Sequence, residues 1–119
     1  MEHEDTIRRF CDAMNGADAD AVVVLAAPSI EVQIGPHRAE GLEALRAIAS
    51  QPGPEGLDSR VEIVDIEGTD GRFEVPARRV QRWSETNELA SEEELVVSID
   101  LDEQGLVTRV EMQPKLPAG

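Results

Sequence analysis

Arg72 to Trp83, RFEVPARRVQRW, is the stretch on which the fold turns. Read with the two-residue period of a strand, it places Phe73, Val75, Ala77, Arg79, Gln81 and Trp83 on one face and Glu74, Pro76, Arg78, Val80 and Arg82 on the other. The first face is the more apolar and is the expected inward one, which makes Arg79 and Gln81 polar groups inside an apolar layer. Parity alone sets this assignment: a one-residue slip or a bulge would turn Arg78 and Arg82 inward instead.

Three further strands flank this one. Ser59–Glu67 precedes it across Gly68-Thr69-Asp70-Gly71, Glu93–Leu101 follows it across an acidic hairpin tip over Ser84–Glu92, and Leu106–Gln113 comes after Asp102-Glu103-Gln104-Gly105. Pro114–Gly119 reads as a loose tail. Upstream, Gln51–Gly56 (QPGPEG) is an interruption, and ahead of it the pattern is mostly helical. Ile7, Phe10, Cys11 and Met14 share one face of a helix over Asp5–Met14 that Asn15-Gly16 ends. Asp18 or Asp20 can cap a second, short and largely buried helix over Ala21–Ala26, which Pro28 stops. Ser29–Ile34 alternates as a half-buried strand with Ile30, Val32 and Ile34 on one side. Gly35-Pro36 turns the chain, and Gly41–Ser50 is a third helix with Leu42, Leu45, Ile48 and Ala49 on one face. Helices first and then an antiparallel meander is an α+β arrangement: three N-terminal helices packed on a curved, mostly antiparallel sheet, in a single domain over residues 1–119.

At 119 residues the chain is the size of one domain. It carries 25 Asp and Glu against 11 Lys and Arg, a net charge of −14, and that field repels phosphates. Neither nucleic acid nor an anionic membrane is therefore an expected partner. The longest apolar run, Ala21–Ala27, is far shorter than the ~20 residues that span a bilayer, and Met1–Asp5 is polar and acidic, unlike a signal peptide. A cytoplasmic location is expected. Cys11 is the single cysteine and His3 and His37 the two histidines, with no zinc-ligand spacing among them, so neither a metal nor an organic cofactor is expected. The glutamates Glu85, Glu88, Glu92, Glu93 and Glu94 lack the alternating ligands of a calcium loop and read as a solvated hairpin tip. With Phe10, Phe73 and Trp83 as the aromatic residues and no Tyr, the core is aliphatic.

The order helix, helix, strand, helix, four strands resembles the nuclear transport factor 2-like superfamily. Phe10–Asp18 (FCDAMNGAD) resembles the end of that family's first helix, Leu101–Val107 (LDEQGLV) the turn before its last strand, and Pro36–Arg46 (PHRAEGLEALR) the lead-in to its third helix. The resemblance implies a cone whose open end holds a small apolar ligand between sheet and helices. The superfamily includes ketosteroid isomerase, SnoaL-like polyketide cyclases, limonene epoxide hydrolase, scytalone dehydratase and non-catalytic members, so fold does not fix function.

Carried over residue by residue, the isomerase's donor Tyr falls on Phe10, its carboxylate base on Val32 and its protonated Asp on Val97, none of which moves a proton. Of the hydrolase's Asp-Arg-Asp set, Arg79 alone has a counterpart, with Gln81 and Met112 near the places of the carboxylates. The dehydratase's histidines and tyrosines are unmatched, with no Tyr and with His37 in an expected loop. The late-strand Asp of SnoaL-like cyclases is nearest Asp100, expected on the outer face.

The expected ligand-binding set is Arg79, Gln81, Trp83, Phe10, Val32, Val97, Met112 and His37, and no catalytic residue is assigned. A guanidinium stays charged and must meet an anion or strong acceptor when it points inward. Arg79 either grips a ligand carboxylate, phenolate or enolate, with Gln81 hydrogen-bonding and Trp83 as a flat wall, or forms an internal salt bridge with a Glu on a neighbouring strand, such as Glu62 or Glu111. His37 is either an acid/base group near the cone's mouth or an exposed turn residue, while Cys11 and Met14 are apolar filler. The reading is a protein that binds a small hydrophobic, anionic or carbonyl-bearing metabolite in an aliphatic pocket. Its alternatives are a SnoaL-like cyclase, isomerase or hydrolase on such a metabolite, and a non-catalytic interaction module. Val80, Val96 and Val110 are expected on the outer sheet face, through which a homodimer would form.

Overall fold

The computed structural model of the chain describes residues 2–51 and 55–115. The expected punctuation at Pro52–Pro54 and the end of the tail, residues 116–119, lie outside them.

Helix α1 (Glu2–Asn15) buries Ile7, Phe10 and Ala13, one residue per turn along a single stripe. It ends in a reciprocal pair of backbone bonds, Ala17 N–H to the Met14 carbonyl at 3.2 Å and Asp18 N–H to the Ala13 carbonyl at 3.0 Å. Ala17 itself is left-handed, at φ 53°. Glycine is the usual residue there, because a Cβ costs roughly 1–2 kcal/mol in that region while glycine's freer unfolded chain returns about 0.4–1 of it. Ala17→Gly is therefore expected to stabilise the fold by about 0.5–1 kcal/mol in urea unfolding.

Asp18 caps α2 (Ala19–Val24), its carboxylate accepting from Ala21 N–H at 3.2 Å. The other candidate cap, Asp20, pairs instead with Arg46. Helix α2 stops earlier than the apolar run suggests, with Val22 buried and Val24 exposed. Ala26 already belongs to strand β1 (Ala26–Ile34), because Leu25 C=O accepts from Val107 N–H at 2.9 Å and draws the chain into the sheet. Pro28, which offers no N–H, sits where the register of β1 shifts between Ala26 and Glu31.

Gly35-Pro36 turns the chain as a hairpin, and His37 beyond it is in a strand rather than a loop. The turn leads to β2 (His37–Glu40), an edge strand paired with β1, and then to α3 (Leu42–Ser50), which buries Leu45 and Ala49. Thus two strands separate the second helix from the third. The rest of the described chain is β3 (Leu57–Ile63), β4 (Glu67–Thr69), β5 (Arg72–Trp83), β6 (Leu89–Leu101) and β7 (Val107–Pro114).

The described strands form one seven-stranded sheet in the order β2-β1-β7-β6-β5-β3, with β4 also on β5. All its pairings are antiparallel except β1 with β7. The expected strand Ser59–Glu67 is broken in two, and Pro76 explains the break. Its carbonyl accepts from both Val64 and Asp65 N–H, at 2.8 and 3.3 Å, so this side of Pro76 faces β3 with no N–H to return. The hairpin tip is shorter than expected, because β6 begins at Leu89. Glu92, Glu93 and Glu94 lie in the strand opposite Val80, Arg79 and Arg78 rather than in a solvated tip. Pro114 belongs to β7, and Lys115 N–H donates to Glu94 C=O at 3.0 Å, so the start of the expected tail is held.

Helix α1 packs on β3 and α2, α2 on α3, and α3 on β1 and β2. Between helices and sheet lies an aliphatic core that includes Ile7, Val22, Ile30, Leu45, Val75, Ile99 and Val107. No helix among the described residues is long and apolar enough to cross a membrane.

Candidate functional site

The core is not filled to its end. Between α1, α3 and the inner sheet face is a cavity of about 420 Å³. Phe10, Cys11, Met14 and Asn15 of α1 form one wall, with Leu45, Ile48 and Gln51 from α3 and its C-cap. The sheet supplies Val32 and Ile34, Ser59 and Val61, Arg79 and Gln81, Val97 and Ile99, and Val110 and Met112. Each of these strand pairs is two residues apart, so the inner face is read directly from alternation. Six expected site residues are brought together here: Phe10, Val32, Arg79, Gln81, Val97 and Met112.

Two are not. Trp83 has the inward parity but lies one step past the cavity at the end of β5, with 49% of its surface exposed, and it is absent from the walls. His37 is exposed on β2, opposite Ile34, and also stands outside. The inward parity of Arg79 holds, and Arg78 and Arg82 lie outside the lining, Arg78 paired with Glu92 at 3.0 Å.

Arg79 does pair with a Glu on a neighbouring strand, but that Glu is neither Glu62 nor Glu111. Register sets Glu93 of β6 directly across from Arg79, and Arg79 Nη1 lies 3.6 Å from its carboxylate. Glu62 faces Arg78 across the β3–β5 ladder, and Glu111 accepts from Arg109 at 2.7 Å. The other end of the guanidinium reaches into the cavity, where Nη2 donates to Met112 Sδ at 3.4 Å. One step along the strand, the Ser91 hydroxyl donates to Gln81 Oε1 at 2.8 Å.

Asn15 does work that the sequence reading missed. Strand β3 is a sheet edge, and at Val61 its free N–H and C=O both point towards α1. The Asn15 carboxamide accepts from that N–H and donates to that C=O, each at 2.8 Å, closing the cavity wall as a further strand would. The signal was present as the first polar residue after the buried stripe of α1. Ser59 and Val61 were likewise not anticipated, whereas Ile34 and Ile99 share the inward faces of Val32 and Val97, and Leu45 and Ile48 lie on the apolar face of α3.

The chemistry offered is narrow. Among the described lining residues the ionisable groups are Arg79 and Cys11; no carboxylate or imidazole faces the cavity. Burial, helped by the Asp12 carboxylate and opposed by Arg8, pushes the Cys11 thiol up to about 11, so it is no nucleophile near neutrality. Among the described residues no group of three or more His, Cys, Asp or Glu is placed to hold a metal ion.

The outer face differs from expectation. Val110, two residues before Met112, faces inward, and Val80 is buried, leaving Val96 partly exposed. Glu74, Ser98, Asp100, Arg109 and Glu111 line an open concavity on that face. Asp100 is therefore outside, as its parity predicts.

No family model matches the sequence, and no curated protein does. Solved structures do. A nuclear transport factor 2-like protein of Burkholderia xenovorans aligns over 96% of this chain and 89% of its own, with a TM-score of 0.72 at 20% identity. The chain has the nuclear transport factor 2-like fold. A candidate polyketide cyclase of Xanthomonas campestris has the same fold, with a TM-score of 0.75 at 13% identity over 93% of this chain and 88% of that one. So does an LEH-like epoxide hydrolase of M. tuberculosis, with a TM-score of 0.75 at 14% identity over 96% and 79% of the two chains. The nuclear transport factor 2-like fold is thus shared by proteins named for different chemistries, and the fold alone assigns none of them to this chain.

Proposed function

We propose that the protein binds a small hydrophobic molecule carrying an oxyanion or a carbonyl, with its apolar body among the aliphatic walls and its oxygen on Arg79. One observation carries this reading: an aliphatic cavity of about 420 Å³ with one permanently charged side chain among its described walls. The volume lies in the range of small-molecule sites, which are mostly apolar with a few placed polar groups. Arg79 retains donor capacity, since its contacts with described residues are an ion pair at 3.6 Å and a bond to a thioether, a weak acceptor. Phe10, Val32 and Val97 add apolar contact, and Gln81 adds a second polar group beside Arg79. The absence of a carboxylate or imidazole from the described walls favours binding over proton transfer by a side chain.

The test is a thermal-shift screen of hydrophobic carboxylic acids, phenols and ketones, run with wild type and Arg79→Met. Methionine keeps an unbranched apolar stem and removes the donors. Ligands are expected to raise the midpoint of wild type, because they bind the folded state alone. In the variant their affinity should fall by about tenfold or more, the scale of one charge-assisted hydrogen bond. The variant's own stability should change by less than about 1 kcal/mol, since the Arg79–Glu93 pair is partly exposed. A ligand-induced rise that survives in Arg79→Met would defeat the anchor.

A further inference from the structure

Arg79 does not meet a ligand as a lone cation. Across the sheet, Val61, Arg79 and Glu93 form one row on the inner face, and Ser59, Gln81 and Ser91 form the next. In the first row the half-exposed Glu93 carboxylate stands 3.6 Å from Nη1, while Nη2 turns to Met112 Sδ in the cavity wall. In the second row the Ser91 hydroxyl occupies Gln81 Oε1, which leaves the Gln81 Nε2 group to donate beside Arg79. The polar end of the cavity therefore offers N–H donors from a neutral carboxamide and from a guanidinium that already has a carboxylate partner.

We propose that Glu93 makes this a hydrogen-bond donor site for uncharged carbonyl compounds, such as ketones, esters and lactones, in preference to carboxylates. The proposal rests on the ligand-binding reading above and narrows it. An uncharged carbonyl oxygen can take the Nη2 hydrogen from the Met112 thioether, a weak acceptor, and leave the Arg79–Glu93 pair in place. A carboxylate would make the same bond but bring a second negative charge to a cation that Glu93 already neutralises. It would have either to displace Glu93 or to lie close to it. The molecule's net charge of −14 adds a repulsive field in the same direction. No second cation among the described lining residues offsets it, and Arg78, the neighbouring cation on β5, is on the other face with Glu92.

The experiment uses two probes of one shape, 2-acetylnaphthalene and 2-naphthoate, with affinities measured by calorimetry at neutral pH and low salt for wild type, Glu93→Gln and Arg79→Met. Wild type is expected to bind the ketone about tenfold more tightly than the carboxylate. Glu93→Gln keeps the side chain's shape and removes its charge, so it should raise carboxylate affinity about tenfold and leave the ketone within about twofold. Added salt should narrow the wild-type gap. A carboxylate bound by wild type as tightly as the ketone would overturn the selectivity, as would a Glu93→Gln effect equal for both. In either case a loss of both ligands in Arg79→Met would leave the binding site itself standing. Absence of binding by either probe to wild type would instead remove the pocket reading and this proposal with it.

Discussion

Gly68→Ala is expected to lower stability by about 2–4 kcal/mol, because the strand that carries it passes too close to its neighbour for any side chain. A Cβ at Gly68 would lie 2.1 Å from the Arg72 carbonyl oxygen and 2.8 Å from Phe73 Cα. Both obstacles are backbone and cannot rotate away. The residue also sits at φ 140°, where side chains are rarely tolerated. The cost has a ceiling, since β4 is three residues long and can peel from β5, uncovering part of Phe73, instead of straining the whole sheet. Gly105 provides the control: it too has a positive φ, 81°, but nothing lies within 4 Å of its Cβ position. Gly105→Ala should therefore cost only about 1 kcal/mol, the backbone penalty less the gain from a stiffer unfolded chain. Urea unfolding of the two variants separates overlap from φ strain, and equal losses would show that the close approach at Gly68 is not what matters there.

Side-chain parity was legible in the sequence, and register was not. Alternation alone assigns Val32, Arg79, Gln81 and Val97 to one face, and the structure gathers all four around the cavity. The same rule puts Met112 and Val110 on one face, so Val110 belongs inside with Met112 and not on the outer surface. The partner of Arg79 depends instead on how β5 slides against β6, a non-local fact that no local pattern encodes. Parity already sets Glu62, between Val61 and Ile63, and Glu111, between Val110 and Met112, on the outer face; it is the pairing of β5 with β6 that sets Glu93, which shares the parity of Val97, directly across from Arg79. Trp83 shows where parity ends: it has the inward sign, but its strand has run beyond the helices that would cover it. The break after Ile63 had a local cause, Pro76, yet the missing N–H is felt on the neighbouring strand and leaves no mark in the sequence of that strand. Strand β2 escaped notice because its four residues, His37–Glu40, are mostly polar and exposed, as a short sheet edge tends to be.

Asn15→Ala is expected to cost about 2–4 kcal/mol, comparable to Gly68→Ala but for a different reason. It removes two hydrogen bonds of 2.8 Å and strands both the N–H and the C=O of Val61 in a partly buried edge. Because Val61 and Asn15 both line the cavity, the variant should also weaken any ligand that wild type binds. Asn15→Asp tests the mechanism with almost no change of shape. The carboxylate can still accept from Val61 N–H, but it cannot donate to Val61 C=O, and the two oxygens then face each other. That contact favours the protonated acid, so the folded-state pKa should lie above the ordinary aspartate value of about 3.9. The sign follows from linkage. The penalty relative to wild type is complete at pH values above the folded pKa, shrinks as pH falls through it, and reaches its minimum below the unfolded value, where the acid O–H can donate as the amide did. Paired urea titrations of wild type and Asn15→Asp across that range should therefore converge towards acid. Parallel curves would mean that the donor half of the Asn15 contact contributes nothing, and that α1 is held to β3 by apolar packing alone.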